Sequence, residues 1–133
     1  MPTIQQYLKK IRKKKLRKIK MKALMACPQK RGLCFKIYTT KPKKPNSANR
    51  KIAQVRLSTG RKTIVGIPGQ GFVLQKFSSV LIRGGGFKDV PGVKYKMIRG
   101  KYDLNWREDF LRSQGRSKYG IPKDTSGFVF MGR

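Results

Sequence analysis

No acidic residue precedes Asp89 in this chain, and that one-sided charge limits what the long stretch before it can form by itself. The whole sequence of 133 residues carries 34 Lys and Arg against 5 Asp and Glu, a formal net charge of +29. Like charges at this density repel one another in a compact state unless a polyanion neutralises them. Nucleic acid meets that need, and a folded RNA presents phosphate to a small protein from several sides at once. The length suits one domain, and a hydrophobic fraction of 38% permits only a modest core. A membrane is the other polyanion to weigh, but no apolar run approaches the roughly 20 residues needed to span a bilayer. The chain has no His, so Cys27 and Cys34 cannot complete the usual four-ligand zinc site. They are expected as buried free thiols, since basic nucleic-acid binders work in reducing compartments. No metal or cofactor is expected.

Three segments follow from the pattern. Residues 1–31 form a basic N-terminal extension, in which Ile4, Tyr7, Leu8 and Ile11 at helical spacing predict a short amphipathic helix over about residues 3 to 9. Beyond it runs an arm that buries too little to fold alone. Lys9, Lys10, Arg12, Lys13, Lys14 and Arg17, with Lys30 and Arg31 at the end of the segment, are its candidate phosphate ligands. An RNA-threading extension, a membrane-surface helix and an organelle-targeting peptide compete for this stretch. A transit peptide is typically rich in Arg and Ser, whereas this one is rich in Lys and has no Ser before Ser47, so targeting is the weakest of the three.

Residues 32–100 read as all-β. Five short runs rich in β-formers, Leu33–Thr39, Lys51–Ser58, Lys62–Ile67, Ser79–Arg83 and Lys94–Arg99, predict strands separated by Gly, Pro and basic turns. In the second run Val55 and Leu57 alternate with polar neighbours, which implies one buried face and one wet face. A small five-stranded barrel of the OB-fold type fits best, and such barrels are common nucleic-acid platforms. Residues 101–133 form an irregular tail. Its acidic cluster Asp103, Glu108 and Asp109, interleaved with Trp106 and followed by Phe110 and Leu111, reads as a local helix surface or protein contact, because no His accompanies it for acid–base or metal chemistry. Arg116 and Lys118 then restore the basic character. The apolar run within Asp124–Arg133 is expected to meet a neighbouring protein.

Two loops stand out. In Thr39–Lys51, Pro42 and Pro45 fix their own φ and push Lys41 and Lys44 out of the α region, so the loop loses little entropy on binding. Lys43 and Lys44 offer charge to phosphate, Asn46 and Ser47 offer compact donors and acceptors beside the small Ala48, and Arg50 and Lys51 follow. In an average protein this composition is a solvated turn. The second loop, Arg83-Gly84-Gly85-Gly86-Phe87-Lys88-Asp89-Val90-Pro91-Gly92, lets the main chain approach a partner closely at its glycines and places Lys88 beside the first carboxylate of the chain. Its plain alternative is a flexible hairpin with an incidental exposed ion pair. Between the third and fourth strands, Gly69 and Gly71 permit a tight bend but lack the strand-to-helix frame of a dinucleotide site. An enzyme would need a positioned acid, base or nucleophile, and none is offered.

Pro45-Asn46-Ser47-Ala48, taken with Ala26-Cys27-Pro28-Gln29-Lys30-Arg31-Gly32, Val80-Leu81-Ile82-Arg83-Gly84-Gly85, Lys88-Asp89-Val90-Pro91-Gly92-Val93 and Arg116-Ser117-Lys118-Tyr119-Gly120, resembles the S-twelve family of small-subunit ribosomal proteins. The blocks occur in the family's order and cover nearly the whole chain. The resemblance implies an OB barrel seated on small-subunit rRNA, with Lys43–Ala48 and Lys88–Gly92 together at the decoding centre beside the tRNA–mRNA duplex. Asn46 and Ser47 would hydrogen-bond the RNA groups that inspect the pairing, Lys43 and Lys44 would steady phosphates, and Arg83, Gly84, Gly85, Pro91 and Gly92 would complete the second loop. Neighbouring small-subunit proteins are implied partners, and neither a membrane nor a homo-oligomer is. In bacterial relatives the aspartate matching Asp89 carries a methylthio modification. This chain departs from the family at Phe72 and Phe77, where polar or His residues are usual, and at Gly86 and Phe87, where Arg and Val are. The two phenylalanines at 72 and 77 are expected to pack against protein, with RNA bases as the alternative, and at Gly86 one phosphate contact is either missing or supplied elsewhere. The opening Pro2-Thr3-Ile4-Gln5-Gln6 matches the family's start, which with the Lys-rich composition suggests an organelle-encoded copy in a mitochondrial ribosome. Bacterial cytoplasm or a plastid are alternatives. The competing function is a free single-strand RNA-binding OB module with Phe35, Tyr38 and Tyr95 as stacking aromatics.

Overall fold

In β2 (Arg50–Leu57), Ala53, Val55 and Leu57 point one way and are buried, while Gln54 and Arg56 point the other way and stay exposed. That period of two is what a half-buried antiparallel strand requires. It continues around a closed barrel in the computed structural model, which describes residues 1–9, 13–16, 18–105, 108, 112 and 114–121. With β1 (Gln29–Thr40), β3 (Lys62–Gly66), β4 (Ser79–Gly84) and β5 (Tyr95–Met97), the order around the barrel is β1-β2-β3-β5-β4. All pairings are antiparallel except β3 with β5. This is the expected all-β, OB-type barrel, with a six-residue helix α1 (Ile4–Lys9) ahead of it whose side chains are all exposed. Lys10, Arg12, Arg17, Trp106, Asp109, Phe110, Leu111 and the apolar end of the tail lie outside the described residues.

The strand boundaries differ from expectation where one strand must serve two neighbours. β1 starts at Gln29 rather than Leu33, because Gln29–Leu33 pair with β4 and Gly32–Thr40 pair with β2. A register shift between Cys34 and Lys36 leaves Phe35 as the extra residue of a bulge, which bends the strand from one partner to the next. At the crossing, a side-chain carbon on Gly32 would run into Val55 and Ile82, so only glycine lets the two layers close there. β5 is shorter than Lys94–Arg99, since Arg99 leaves the ladder for other partners.

The core is built from Cys34, Val55, Val65, Val80, Ile82 and Met97, and it draws on both flanking segments. Ala23 and Leu24, in the single 3-10 turn Lys22–Leu24, plug one opening of the barrel, with the Ala23 N–H donating to the Tyr95 hydroxyl at 3.1 Å. Leu104 is fully buried in the same cluster. The sequence boundaries at residues 31 and 100 therefore fall inside the packed unit. Burial in this core, with Asp103 adding to it, pushes the Cys34 thiol up to about 11. Cys27 is free as well, but half-buried rather than buried. Tyr95 is buried and Tyr38 half-buried, so two of the three aromatics that a single-strand binder would stack on are committed to packing.

The acidic segment turns back onto the barrel. Arg99, only 5% exposed, donates from Nε to the Pro68 carbonyl at 2.7 Å, from Nη1 to Asn105 at 3.0 Å and from Nη2 to Gly71. Glu108 accepts from the Gln70 N–H at 2.7 Å and from Arg112, and so holds the β3–β4 connection from outside. The bonds from Arg112 hold the Glu108 carboxyl below its usual range; burial opposes them and the Gln70 N–H assists. Glu108 is thus a contact within the chain, between this segment and the β3–β4 connection.

Two outcomes follow. Leu104→Ala should cost about 2–5 kcal/mol in urea titrations at high salt, as for a buried core leucine; a cost near zero would place residue 104 outside the core. Because the folded Glu108 is more acidic than an unfolded Glu, its contribution is complete above the ordinary Glu value of about 4.3 and is lost as pH falls through the lower folded value. The urea midpoint of Glu108→Gln should therefore fall less than that of the parent between pH 5 and about 3.

Candidate nucleic-acid interface

Thr40 and Arg50 are register partners at the ends of β1 and β2, and Gly84 and Tyr95 are partners at the ends of β4 and β5. Each pair closes the base of one of the two loops singled out in the sequence. The loops are then tied to each other through Asp89. Its carbonyl accepts the Lys43 N–H at 2.9 Å, and its carboxylate Oδ2 accepts from Arg50 Nε at 3.0 Å and Nη2 at 2.7 Å. The Asp89 side chain is 15% exposed and that of Arg50 42%. Beneath this junction Ile52, Val90 and Val93 form a second small core, with Tyr38 and Phe87 packed against it. Ile52 thus lies on the face of β2 opposite the barrel interior, so near its start this strand is covered on both faces rather than wet on one.

Above the junction the tips are free of protein cover. Lys43, Lys44, Pro45, Asn46 and Ser47 are exposed and Ala48 half-buried, and the Asn46 N–H donates to the Lys43 carbonyl at 3.2 Å to close the turn. Lys41, Pro42, Asn46, Ser47, Ala48 and Asn49 line a shallow polar concavity. On the second loop Gly85, Lys88, Pro91 and Gly92 are exposed. Gly85 and Gly92 take φ of 97° and 84°, which an L side chain rarely adopts. Gly86 sits so close to the Val93 carbonyl that a side-chain carbon has no room. The departure at this position is therefore matched by the backbone around it.

The structure brings Lys43–Ala48 and Lys88–Gly92 together at one end of the barrel. Other sequence candidates lie elsewhere. Lys9, Lys13 and Lys14 are exposed in the extension. Lys30 is half-buried on β1, and Arg31 donates to the Ser79 hydroxyl at 2.9 Å, at the end of β4 away from Arg83 and Gly84. Lys51 is exposed on β2, and Arg116 and Lys118 lie in a 3-10 turn, Arg116–Tyr119. Arg50, expected as an RNA ligand, has its guanidinium engaged by Asp89.

Sequence reasoning missed that pair, although a lone carboxylate following so long a basic stretch was a sign that Asp89 had a partner. It also misplaced Phe77. Phe72 packs against the core as expected, but Phe77 is 59% exposed, holds a left-handed φ of 68° and meets Phe35 edge-on at 6.0 Å between centroids.

The family model described as ribosomal protein S12/S23 matches residues 17–124. A curated relative, the small ribosomal subunit protein uS12m of Acanthamoeba castellanii, is 56% identical over 120 residues, covering 90% of this chain and 94% of the relative. The match takes in all five strands, the junction at Asp89 and both of the loops that it joins, and the chain belongs to the ribosomal protein S12/S23 family.

Proposed function

We propose that this chain is a structural constituent of the small ribosomal subunit of mitochondria, folded onto rRNA and holding its two joined tips where codon and anticodon pair. The single observation behind this reading is the junction at Asp89, which fixes a proline-stiffened cationic tip against a glycine-rich one. Family membership and the name of the uS12m relative support the ribosomal and mitochondrial assignments. The unneutralised charge supports an RNA environment.

In this reading Lys43, Lys44 and Lys88 meet phosphates, while Asn46 and Ser47 hydrogen-bond RNA groups that inspect the tRNA–mRNA minor groove. A correct duplex lets these bonds form together. A mismatch leaves buried polar groups unpaired at about 1–3 kcal/mol each, and that difference is the source of accuracy. The protein's role is positional, not catalytic. The packed unit, from Met21 through Leu104, is the anchoring body, and the arm before it threads into RNA.

Lys43→Ala and Ser47→Pro should change misreading frequency in reporter assays more than they change incorporation into subunits; unaltered misreading with normal incorporation would remove Lys43 and Ser47 from the site. Arg50→Met should loosen the junction. Hydrogen exchange at the Lys43 amide should rise roughly fivefold, the equivalent of about 1 kcal/mol for a half-exposed charged hydrogen bond. Exchange as slow as in the parent chain would show that the loops are held by the apolar cluster alone.

A further inference from the structure

Lys96 lies between two strands on the outer face of the barrel. It is the register partner of Arg83 in the antiparallel β4–β5 pair and of Gly66 in the parallel β3–β5 pair. Its neighbours Tyr95 and Met97 point inward and are buried, so Lys96 points outward with the exposed Arg83 beside it. Gly66 has no side chain, and the Phe87 ring occupies the room that one would need. The Lys96 ammonium stands 5.1 Å from the centroid of that ring.

Among the described residues the ion pairs of Arg50 with Asp89 and of Arg112 with Glu108 leave Arg83 and Lys96 out. Burial first, and then the charges of Arg83 and Lys118, hold the Lys96 ammonium below its ordinary range, so its charge is disfavoured in the isolated protein. An anion placed between Arg83 and Lys96 would favour the charged ammonium.

We infer that Arg83 and Lys96, walled on one side by Phe87, form a binding site for a single RNA phosphodiester, distinct from the two tips. This rests on the reading of the chain as an rRNA-binding protein. The phosphodiester fits because its two non-bridging oxygens accept from the guanidinium fork and from the ammonium at once. The site also continues directly into Gly84 and Gly85 at the base of the second tip, so a strand that passes the tip has a path across β4 and β5. Phe87 shields the Lys96 ammonium from water on one side and attracts it through the ring face, which fixes its direction. The cation that Gly86 cannot carry is thereby supplied from the barrel wall.

The test uses the full chain, protein-free small-subunit rRNA and phosphate-ethylation interference, comparing the parent with Lys96→Met, Arg83→Met and Lys96→Arg. Lys96→Met should lose interference at one or two adjacent phosphates and make the slope of log affinity against log salt shallower by about one. Interference due to Lys43 and Lys88 should stay in place, and Lys96→Arg should restore the lost positions. Arg83→Met, altered at an exposed position of β4, should lose the same phosphates and decides the matter if Lys96→Met fails to fold. Parent-like interference and salt slope in Arg83→Met, or in folded Lys96→Met, would overturn the site. So would a defect seen only in assembled subunits, which would assign the two cations to a carboxylate on a neighbouring protein. If the parent chain itself does not bind the rRNA, the proposed function fails instead.

Discussion

Each carboxylate among the described residues bonds to a partner on another stretch of chain. Asp89 takes Arg50 on its carboxylate and the Lys43 N–H on its carbonyl. Asp103 accepts the N–H of Ser79 at 2.6 Å and returns its own N–H to the Ser79 carbonyl at 3.1 Å. Glu108 accepts the N–H of Gln70 and the guanidinium of Arg112. In a chain of net charge +29, a carboxylate is the one side chain that stabilises whatever cation or amide lies beside it. All three have been placed where a loop meets a strand or another loop. The barrel would close without the Asp89 carboxylate, since its core is apolar, but the two tips would then be held by the Lys43 N–H on the residue 89 carbonyl, three buried aliphatic side chains and two partly buried rings.

This division explains how so small a core supports so basic a surface. Among the described residues the one buried charged side chain, Arg99, reaches out of the core cluster to three main-chain carbonyls, with the Glu108 carboxylate close enough to feel its charge. Repulsion among the remaining cations is left to the surroundings, so the fold is compact locally and electrostatically incomplete as a whole. Folding and RNA binding are then linked by mass action, because phosphate stabilises only the arrangement in which the cations have been brought together.

The strands were legible because each lies in a short run rich in β-formers between breakers, and β2 to β4 begin or end within one residue of expectation. Where the reading fell short, the determining contact is remote in sequence. Ala23 and Leu24 look like the end of a basic arm until the Tyr95 hydroxyl draws that turn over the barrel mouth, and Leu104 looks like tail until it fills the core. Both loops were visible as composition, but their union depends on Arg50 and Asp89, 39 positions apart. Phe77 was misjudged because apolarity argues for burial, while its left-handed backbone and the N–H it donates to the Cys34 carbonyl at 2.6 Å turn the ring outward.

Phe87 shows how a local departure from the family can be absorbed rather than merely tolerated. One part of its environment is the small core of Ile52, Val90 and Val93 below the tips, and another is the vacant side-chain space over Gly66. A ring bridges these two places, so enlarging residue 87 stiffens the base of the second loop while Gly86 is pressed against the Val93 carbonyl. The same ring leaves Lys96 with an aromatic face instead of open water on one side. Residues 66, 86, 87 and 96 are therefore one physical unit: a larger side chain at 66 would evict the ring, an evicted ring would uncover the small core, and Lys96 would lose its wall. Four positions scattered over three elements behave as a single determinant of how the second tip stands on the barrel.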